Sequence, residues 1–245
     1  MNVVDGEWEV KYRGSKPQTV IVELTTRCNL SCRHCFRNAM MENLGDMSRS
    51  LVEKLLKDLA SVGVKRVVFT GFGEPLVYPY IDQVLEQAKS LGFEVVLNTN
   101  GTLLDRYIEA IAEFVDTLVV SIEAGEEDLY KEIRRGATLS KVLKNLELLN
   151  KFRSVTKWSP IIEFWYTIGK YNLDSLLKVI DLAQRMGVYR LNVSNYIPIA
   201  SNNENCCLCD PSCIEKLRKS SYGGLKASYG EATASPLLIA YTPSR

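Results

Sequence analysis

The chain has 245 residues, enough for one or two domains with a proper hydrophobic core. Its composition, 46% hydrophobic and 24% charged, is that of an ordinary soluble protein. Thirty basic residues against 29 acidic ones leave a formal charge of +1, which gives no electrostatic footprint for nucleic acid. No apolar run is long enough to span a bilayer, so no membrane partner is expected. Segment 1–17 is polar with early acids and does not read as a secretory signal, which makes the cytoplasm the default location.

Apolar periodicity alternates between strand and helix from residue 19 to 198. Residues 19–24 (TVIVEL) read as a buried strand. A helix follows over 48–62, with Leu51, Leu55, Leu59 and Val62 as its stripe, widened by Val52 and Leu56, and with Ser50 and Glu53 as a capping box. Residues 67–70 form the second strand. Pro79 opens the next helix and Gly92 closes it. A third strand is expected at 93–97, a short helix from 105 to about 115, and a fourth strand at 117–122. Helical stretches near 126–133 and 139–152 lead to a fifth strand at 161–168. A helix over 173–186, capped by Gly187, then leads to a sixth strand at 189–194.

The strands read as apolar runs rather than strict alternation, as a parallel sheet requires. Six parallel strands with helical crossovers make either a curved, incomplete barrel or an open doubly wound sheet, and periodicity does not separate the two. The expected organisation is an N-terminal extension at 1–18, a core at 19–198 and a Cys-rich C-terminal extension at 199–245. Segment 199–245 is rich in Asn, Ser, Gly and Cys. Beyond about residue 219 it has no convincing helix, and 220–245 lacks a core-forming pattern.

In parallel βα architectures functional groups collect where strands end and helices have not begun. Those positions hold Thr25 to Cys35 after strand one, Gly71-Phe72-Gly73-Glu74-Pro75 after strand two, and Asn98-Thr99-Asn100-Gly101 after strand three. Strand four ends in Ser121-Ile122-Glu123, and strand six in Ser194-Asn195-Tyr196-Ile197-Pro198. Nearly every unusual polar or glycine-rich segment therefore falls on one edge of the sheet.

Seven cysteines form two tight groups, Cys28, Cys32 and Cys35, then Cys206, Cys207, Cys209 and Cys213. Disulfide scaffolds are short, secreted and evenly studded, so two clusters in a reducing compartment point to metal or cluster ligation. Cys-x3-Cys-x2-Cys supplies three thiolates from a loop short enough to curl round one iron–sulfur cube, leaving one iron open to a chelating substrate. Zinc with the three cysteines and His34 is the alternative. Two adjacent residues on one tetrahedral ion are awkward, so His34 reads as an aromatic packed beside the cluster. A non-catalytic zinc or redox iron–sulfur protein is the competing functional class.

With these motifs in this order, residues 19–198 resemble a radical S-adenosylmethionine enzyme. Cys28, Cys32 and Cys35, with His34 before the last, match that family's CxxxCxΦC signature, where Φ is commonly aromatic. Residues 71–75 resemble its GGEP motif, with Phe72 replacing the first glycine of the pair. The resemblance implies an α/β fold, a partial (βα)6 TIM-like barrel of parallel strands with a short Cys-rich C-terminal extension. It also implies a [4Fe–4S] cluster on Cys28, Cys32 and Cys35, and an edge formed by Gly71, Gly73, Glu74 and Pro75 that holds the amino group of the methionine moiety. Asn100 and Ser121 fall where the family approaches the adenosine or ribose. Glu123 lies where many members have an acid, and Arg134 near an arginine that in some members meets the methionine carboxylate.

The implied reaction is reductive cleavage of S-adenosylmethionine to a 5′-deoxyadenosyl radical that abstracts hydrogen, with a ferredoxin or flavodoxin as electron donor. The substrate is expected to be a peptide, a protein or a cofactor precursor. The opening strand and the segment after Cys35 resemble members that act around tungsten-cofactor modification, which makes a tungsten or molybdenum cofactor role an alternative. Glu163, Trp165 and Tyr196 are candidate lumen contacts, with aromatic packing the favoured role for Trp165. Cys206, Cys207, Cys209 and Cys213 are a candidate second site for an auxiliary [4Fe–4S] cluster of the SPASM or twitch kind. Their Cys-Cys-x-Cys-x3-Cys spacing does not match that extension cleanly, so the extension reads as abbreviated or truncated.

Overall fold

The computed structural model describes residues 17–35, 37, 45–153 and 160–196, residues 212 and 215, and the backbone of four short strands at 2–4, 7–9, 225–227 and 239–241. The strands are β1 (Asn2–Val4), β2 (Glu7–Glu9), β3 (Thr19–Val22), β4 (Arg66–Phe69), β5 (Glu94–Thr99), β6 (Thr117–Ser121), β7 (Ile161–Ile168), β8 (Arg190–Asn195), β9 (Leu225–Ala227) and β10 (Ile239–Tyr241). The α-helices are α1 (Arg49–Ser61), α2 (Ile81–Ser90), α3 (Ile108–Phe114), α4 (Glu127–Ile133), α5 (Leu139–Arg153) and α6 (Leu176–Arg185).

Strand order decides between the two topologies left open by periodicity. Strands β3 to β8 lie side by side in chain order and pair in parallel. A doubly wound sheet reverses its order at a switch point, whereas a barrel wall does not. The sheet is an open, partial barrel of six parallel strands.

It continues where no strand was expected. Strand β10 pairs antiparallel with β8, and β9 pairs antiparallel with β10. Segment 220–245 thus adds a two-stranded antiparallel edge, although it shows no core-forming pattern. Strands β1 and β2 form a separate antiparallel pair.

Burial runs unbroken through the middle of β6 and β8, as expected of a parallel sheet, but alternates along β4, β5 and β7. In β7, Ile162, Phe164, Tyr166 and Ile168 are buried while their neighbours are not. One face packs on the helices and the other lines the concavity, where Val119, Asn192 and Ser194 are nonetheless buried. The core is the helix-facing layer: Phe69, Leu97, Val120, Phe164 and Leu191 pack with Leu56, Leu85, Ile111, Leu146 and Ile180. In α1 the buried face centres on Val52 and Leu56. Leu51 and Val62 are exposed, because the stripe lies one position away from the one read by period. Ser48, not Ser50, caps this helix by accepting the Leu51 N–H at 3.3 Å, and Glu53 instead pairs with Arg49. Helix α2 begins at Ile81, with a 3-10 turn at Pro75–Val77 before it. Gly92 and Gly187 follow their helices at φ +84° and +66°, the left-handed conformation that glycine adopts without strain.

Candidate functional site

The cysteine loop leaves β3 and is pinned at its root. Thr25 Oγ1 donates to Asp46 Oδ1 at 2.6 Å, Arg27 Nε donates to the same carboxylate at 3.0 Å, and Met47 N–H reaches the Leu24 carbonyl at 2.9 Å. Further along, Ser31 N–H bonds the Arg135 carbonyl at 3.0 Å and Arg33 N–H bonds the Ile133 carbonyl at 2.8 Å. Buried Leu30 lies so close to Gly136 that a Cβ there would sit 3.2 Å from Leu30 Cδ2. At φ +98°, position 136 is strained for other residues in any case.

Cys32 is buried and Cys28 and Cys35 are half-buried, and none of the three is in a disulfide. Two of the sulfurs face donors. Leu30 N–H lies 3.4 Å from Cys28 Sγ, with Asn100 Nδ2 at 4.0 Å, and an Arg134 N–H lies 3.7 Å from Cys32 Sγ. Burial raises the Cys28 pKa and pushes Cys32 up to about 11, so ligation would release protons from these thiols. Three thiols on one loop, two of them with N–H groups near the sulfur, make a donor set of the kind an iron–sulfur cluster uses. Among the described residues no three His, Cys, Asp or Glu side chains converge on one ion. A cluster asks for no such convergence, since it spreads its thiolates over different irons. The residues present fit a [4Fe–4S] group.

The turn after β4 closes against this loop. Glu74 N–H bonds the Arg27 carbonyl at 2.8 Å. A Cβ on Gly73 would lie 2.0 Å from the Thr25 carbonyl oxygen, so any side chain there collides with the root of the cysteine loop. The glycine is required for that packing, whatever approaches it from outside. Glu74 points inward: its carboxylate accepts Thr99 Oγ1 at 2.5 Å, Asn100 N–H at 2.7 Å and Leu76 N–H at 3.2 Å. Burial raises its pKa and the three hydrogen bonds partly offset this. Pro75 is buried at the start of the 3-10 turn. Phe72, in place of the motif's glycine, is exposed at 45%, and its N–H is held by the Glu23 carboxylate. That carboxylate also takes Gly73 N–H at 3.3 Å, and a Cβ on Gly71 would collide with it.

Asn100, Ser121, Glu123, Arg134 and His34 gather on the same edge, whereas Glu163 lies near the start of β7, beside Arg190 at the start of β8. Asn100 is buried, donates to Asn29 Oδ1 at 2.9 Å and accepts Thr102 N–H at 3.0 Å. Ser121 ends β6 on the concave face, in register with Trp165. Glu123 and Arg134 are both buried and form a two-pronged ion pair, Nη2 to Oε1 at 2.7 Å and Nε to Oε2. His34 Nε2 stands 3.8 Å from the same carboxylate, burial lowers the pKa of the ring, and its Nδ1 has no hydrogen-bond partner among the described residues. On the concave wall Trp165 Nε1 donates to Ser194 Oγ at 2.8 Å, and Glu163 accepts from Asn192 Nδ2 at 2.9 Å. Tyr196 packs edge-on against Tyr171, whose ring carries Arg33 at 4.8 Å. Ile197, Pro198, Cys206, Cys207, Cys209 and Cys213 lie outside the described residues.

The model of the Radical SAM superfamily matches residues 22–183, more than half of the chain, from the cysteine loop through β7. The chain belongs to the radical SAM superfamily. Members of that superfamily are enzymes. Among its relatives is the tungsten-containing aldehyde ferredoxin oxidoreductase cofactor-modifying protein of Pyrococcus furiosus, 31% identical over 217 residues, which covers 83% of this chain and 60% of that protein. The GTP 3′,8-cyclase of Clostridium perfringens is 28% identical over 204 residues, 81% of this chain and 61% of the cyclase. The chain thus spans about three-fifths of the length of these relatives. In fold it is similar to Streptococcus suis SuiB, solved with S-adenosylmethionine, at a TM-score of 0.63 and 21% identity over 76% of this chain and 40% of that one. SuiB has also been solved with its precursor peptide SuiA. Among the described residues no helix is long and apolar enough to cross a membrane.

Four positioning residues escaped sequence reading. Asn145, fully buried, donates to the carbonyls of Gly101 (2.9 Å) and Thr102 (3.1 Å) and so holds the Asn100 turn. Asn172 ties the Glu123 carbonyl to the end of β7, through bonds of 3.0 Å to Glu123 and Thr167. Ser175 Oγ accepts Gly125 N–H at 2.8 Å. The fourth is Glu23. The readable signal for Asn145 is a polar residue inside the apolar stripe of Val142, Leu146 and Leu149.

Proposed function

We propose that Cys28, Cys32 and Cys35 hold a [4Fe–4S] cluster and that the chain cleaves S-adenosylmethionine reductively at it. When bound, the cluster supplies one electron to the sulfonium, giving methionine and a 5′-deoxyadenosyl radical that takes hydrogen from a substrate. The observation that carries this reading is the cysteine loop, with three thiols on one pinned turn and donors already directed at two sulfurs. In this reading the edge of Gly71, Gly73, Glu74 and Pro75 faces the methionine amino group. Glu74 acts there as the buried joint that fixes the turn, not as a side chain offered to ligand. Asn100 and Ser121 flank the adenosine. Arg134 has five N–H groups. Two are engaged by Glu123 and one by Cys32, which leaves two for the methionine carboxylate.

The substrate is a peptide, a protein or a cofactor precursor, and the concave wall of Glu163, Trp165 and Tyr196 receives it. The name of the Pyrococcus relative supports tungsten- or molybdenum-cofactor modification, and the SuiB–SuiA structure supports a peptide. A ferredoxin or flavodoxin supplies the electron, and Cys206, Cys207, Cys209 and Cys213 are offered as ligands of an auxiliary cluster.

The test is anaerobic reconstitution of wild type and of the Cys28→Ala/Cys32→Ala/Cys35→Ala variant. Iron and sulfide are assayed, and products are separated by chromatography after dithionite reduction. Wild type should yield 5′-deoxyadenosine and methionine, and the variant neither. A variant that keeps about half of the wild-type iron would place a second cluster on the C-terminal thiols. A colourless zinc protein, or a variant with undiminished iron, defeats the assignment.

A further inference from the structure

The segment Ile133-Arg134-Arg135 lies against Ser31-Cys32-Arg33 in a register that leaves little freedom. The backbone bonds Ser31 N–H to Arg135 O and Arg33 N–H to Ile133 O flank Cys32 on one side and Arg134 on the other. They form a two-bond clamp that sets the guanidinium against the sulfur, Nη1 to Sγ at 3.7 Å. Glu123 grips the opposite edge of the same guanidinium through Nε and Nη2, and all three side chains are buried. Hydrogen bonds to ligand sulfur and nearby charge are the levers by which a protein sets a cluster potential, and burial removes the water that would screen them.

We propose that Arg134 is a positioning residue that raises the reduction potential of the cluster through Cys32, and that Glu123 sets how far. Adding an electron makes the cluster more negative, so a cation fixed at one ligand sulfur favours the reduced form. The glutamate behind it is further from the sulfur and tempers that effect. The inference rests on Cys28, Cys32 and Cys35 holding the cluster. It adds a task for Arg134 that requires no S-adenosylmethionine.

The experiment is a redox titration of anaerobically reconstituted protein without S-adenosylmethionine, with dithionite as reductant. The reduced cluster is followed by electron paramagnetic resonance and visible absorption. Wild type is compared with Arg134→Gln, Glu123→Gln and the double variant, each at measured iron and sulfide content. Arg134→Gln should disfavour reduction by about tenfold, about 59 mV for a one-electron couple. Glu123→Gln should shift it the other way, with the double variant between wild type and Arg134→Gln. Should Arg134→Gln fail to fold because Glu123 is left unpaired, Glu123→Gln and the neutral double variant still decide the matter. Loaded variants with the wild-type potential, or shifts in the reverse order, overturn the inference and leave the cluster assignment standing. A wild-type protein that takes up no cluster overturns both.

Discussion

Two glutamates, Glu74 after β4 and Glu123 after β6, are both buried on the same edge of the sheet, and the fold accommodates them in opposite ways. Glu74 is surrounded by neutral donors, the Thr99 hydroxyl and two backbone N–H groups, and so works as a joint between two turns. Glu123 is matched by a guanidinium, and its charge steers that cation toward Cys32. Identical side chains at comparable depth thus serve different ends. The neutral cradle fixes backbone, whereas the ion pair aims charge. Breaking a buried pair from one side leaves a bare charge, while disturbing a hydrogen-bonded cradle leaves only neutral donors unsatisfied, a smaller penalty.

The largest effect expected from this contrast is on Arg134→Met. It strands Glu123 and should destabilise the protein by about 3–5 kcal/mol, measured by urea unfolding under anaerobic conditions. A loss below that of any Glu74 variant would break the comparison. Glu74→Gln is the milder test. An amide nitrogen in place of Oε2 meets the Asn100 N–H donor to donor, with an expected cost of about 1–3 kcal/mol and a wild-type-like m-value.

The smallest effect is a pH slope. Burial raises the Glu74 pKa, so the folded state holds a proton that the unfolded chain has released once pH exceeds its ordinary value. The contribution of Glu74 to stability is therefore fullest in acid and declines as pH rises through the raised value. Stability of wild type relative to Glu74→Gln should fall across the mildly acidic range. A flat or rising difference would mean that the three donors outweigh burial, and would sharpen the view of this cradle as one built for an anion.

Much of this edge was legible because strand ends carry their own signals. Thiol spacing, a glycine-rich turn and Asn100-Gly101 stand out locally, and the crossover helices repeat with a readable period. Three features were not legible, each for a physical reason. The α1 stripe was centred one position off because Leu51 and Val62 satisfy the period yet face solvent; hydrophobicity alone does not say which side of a wide stripe meets the sheet. The partners of Glu123 and Glu74 depend on contacts across turns distant in sequence, and no local pattern reports those. Strands β9 and β10 are three residues each. Strands that short have no period to detect, and their pairing with β8 is set entirely by tertiary structure.

That pairing has a consequence for how the chain is made. Synthesis is vectorial, so β8 leaves the ribosome well before Ile239–Tyr241, the strand that lies along it. In the interval the nascent sheet presents the N–H and C=O groups of β8 to any extended chain nearby, the kind of unfinished border through which nascent proteins misassociate. The selvedge is woven in two passes, since β9, though made first, takes the outer place only once β10 lies along β8.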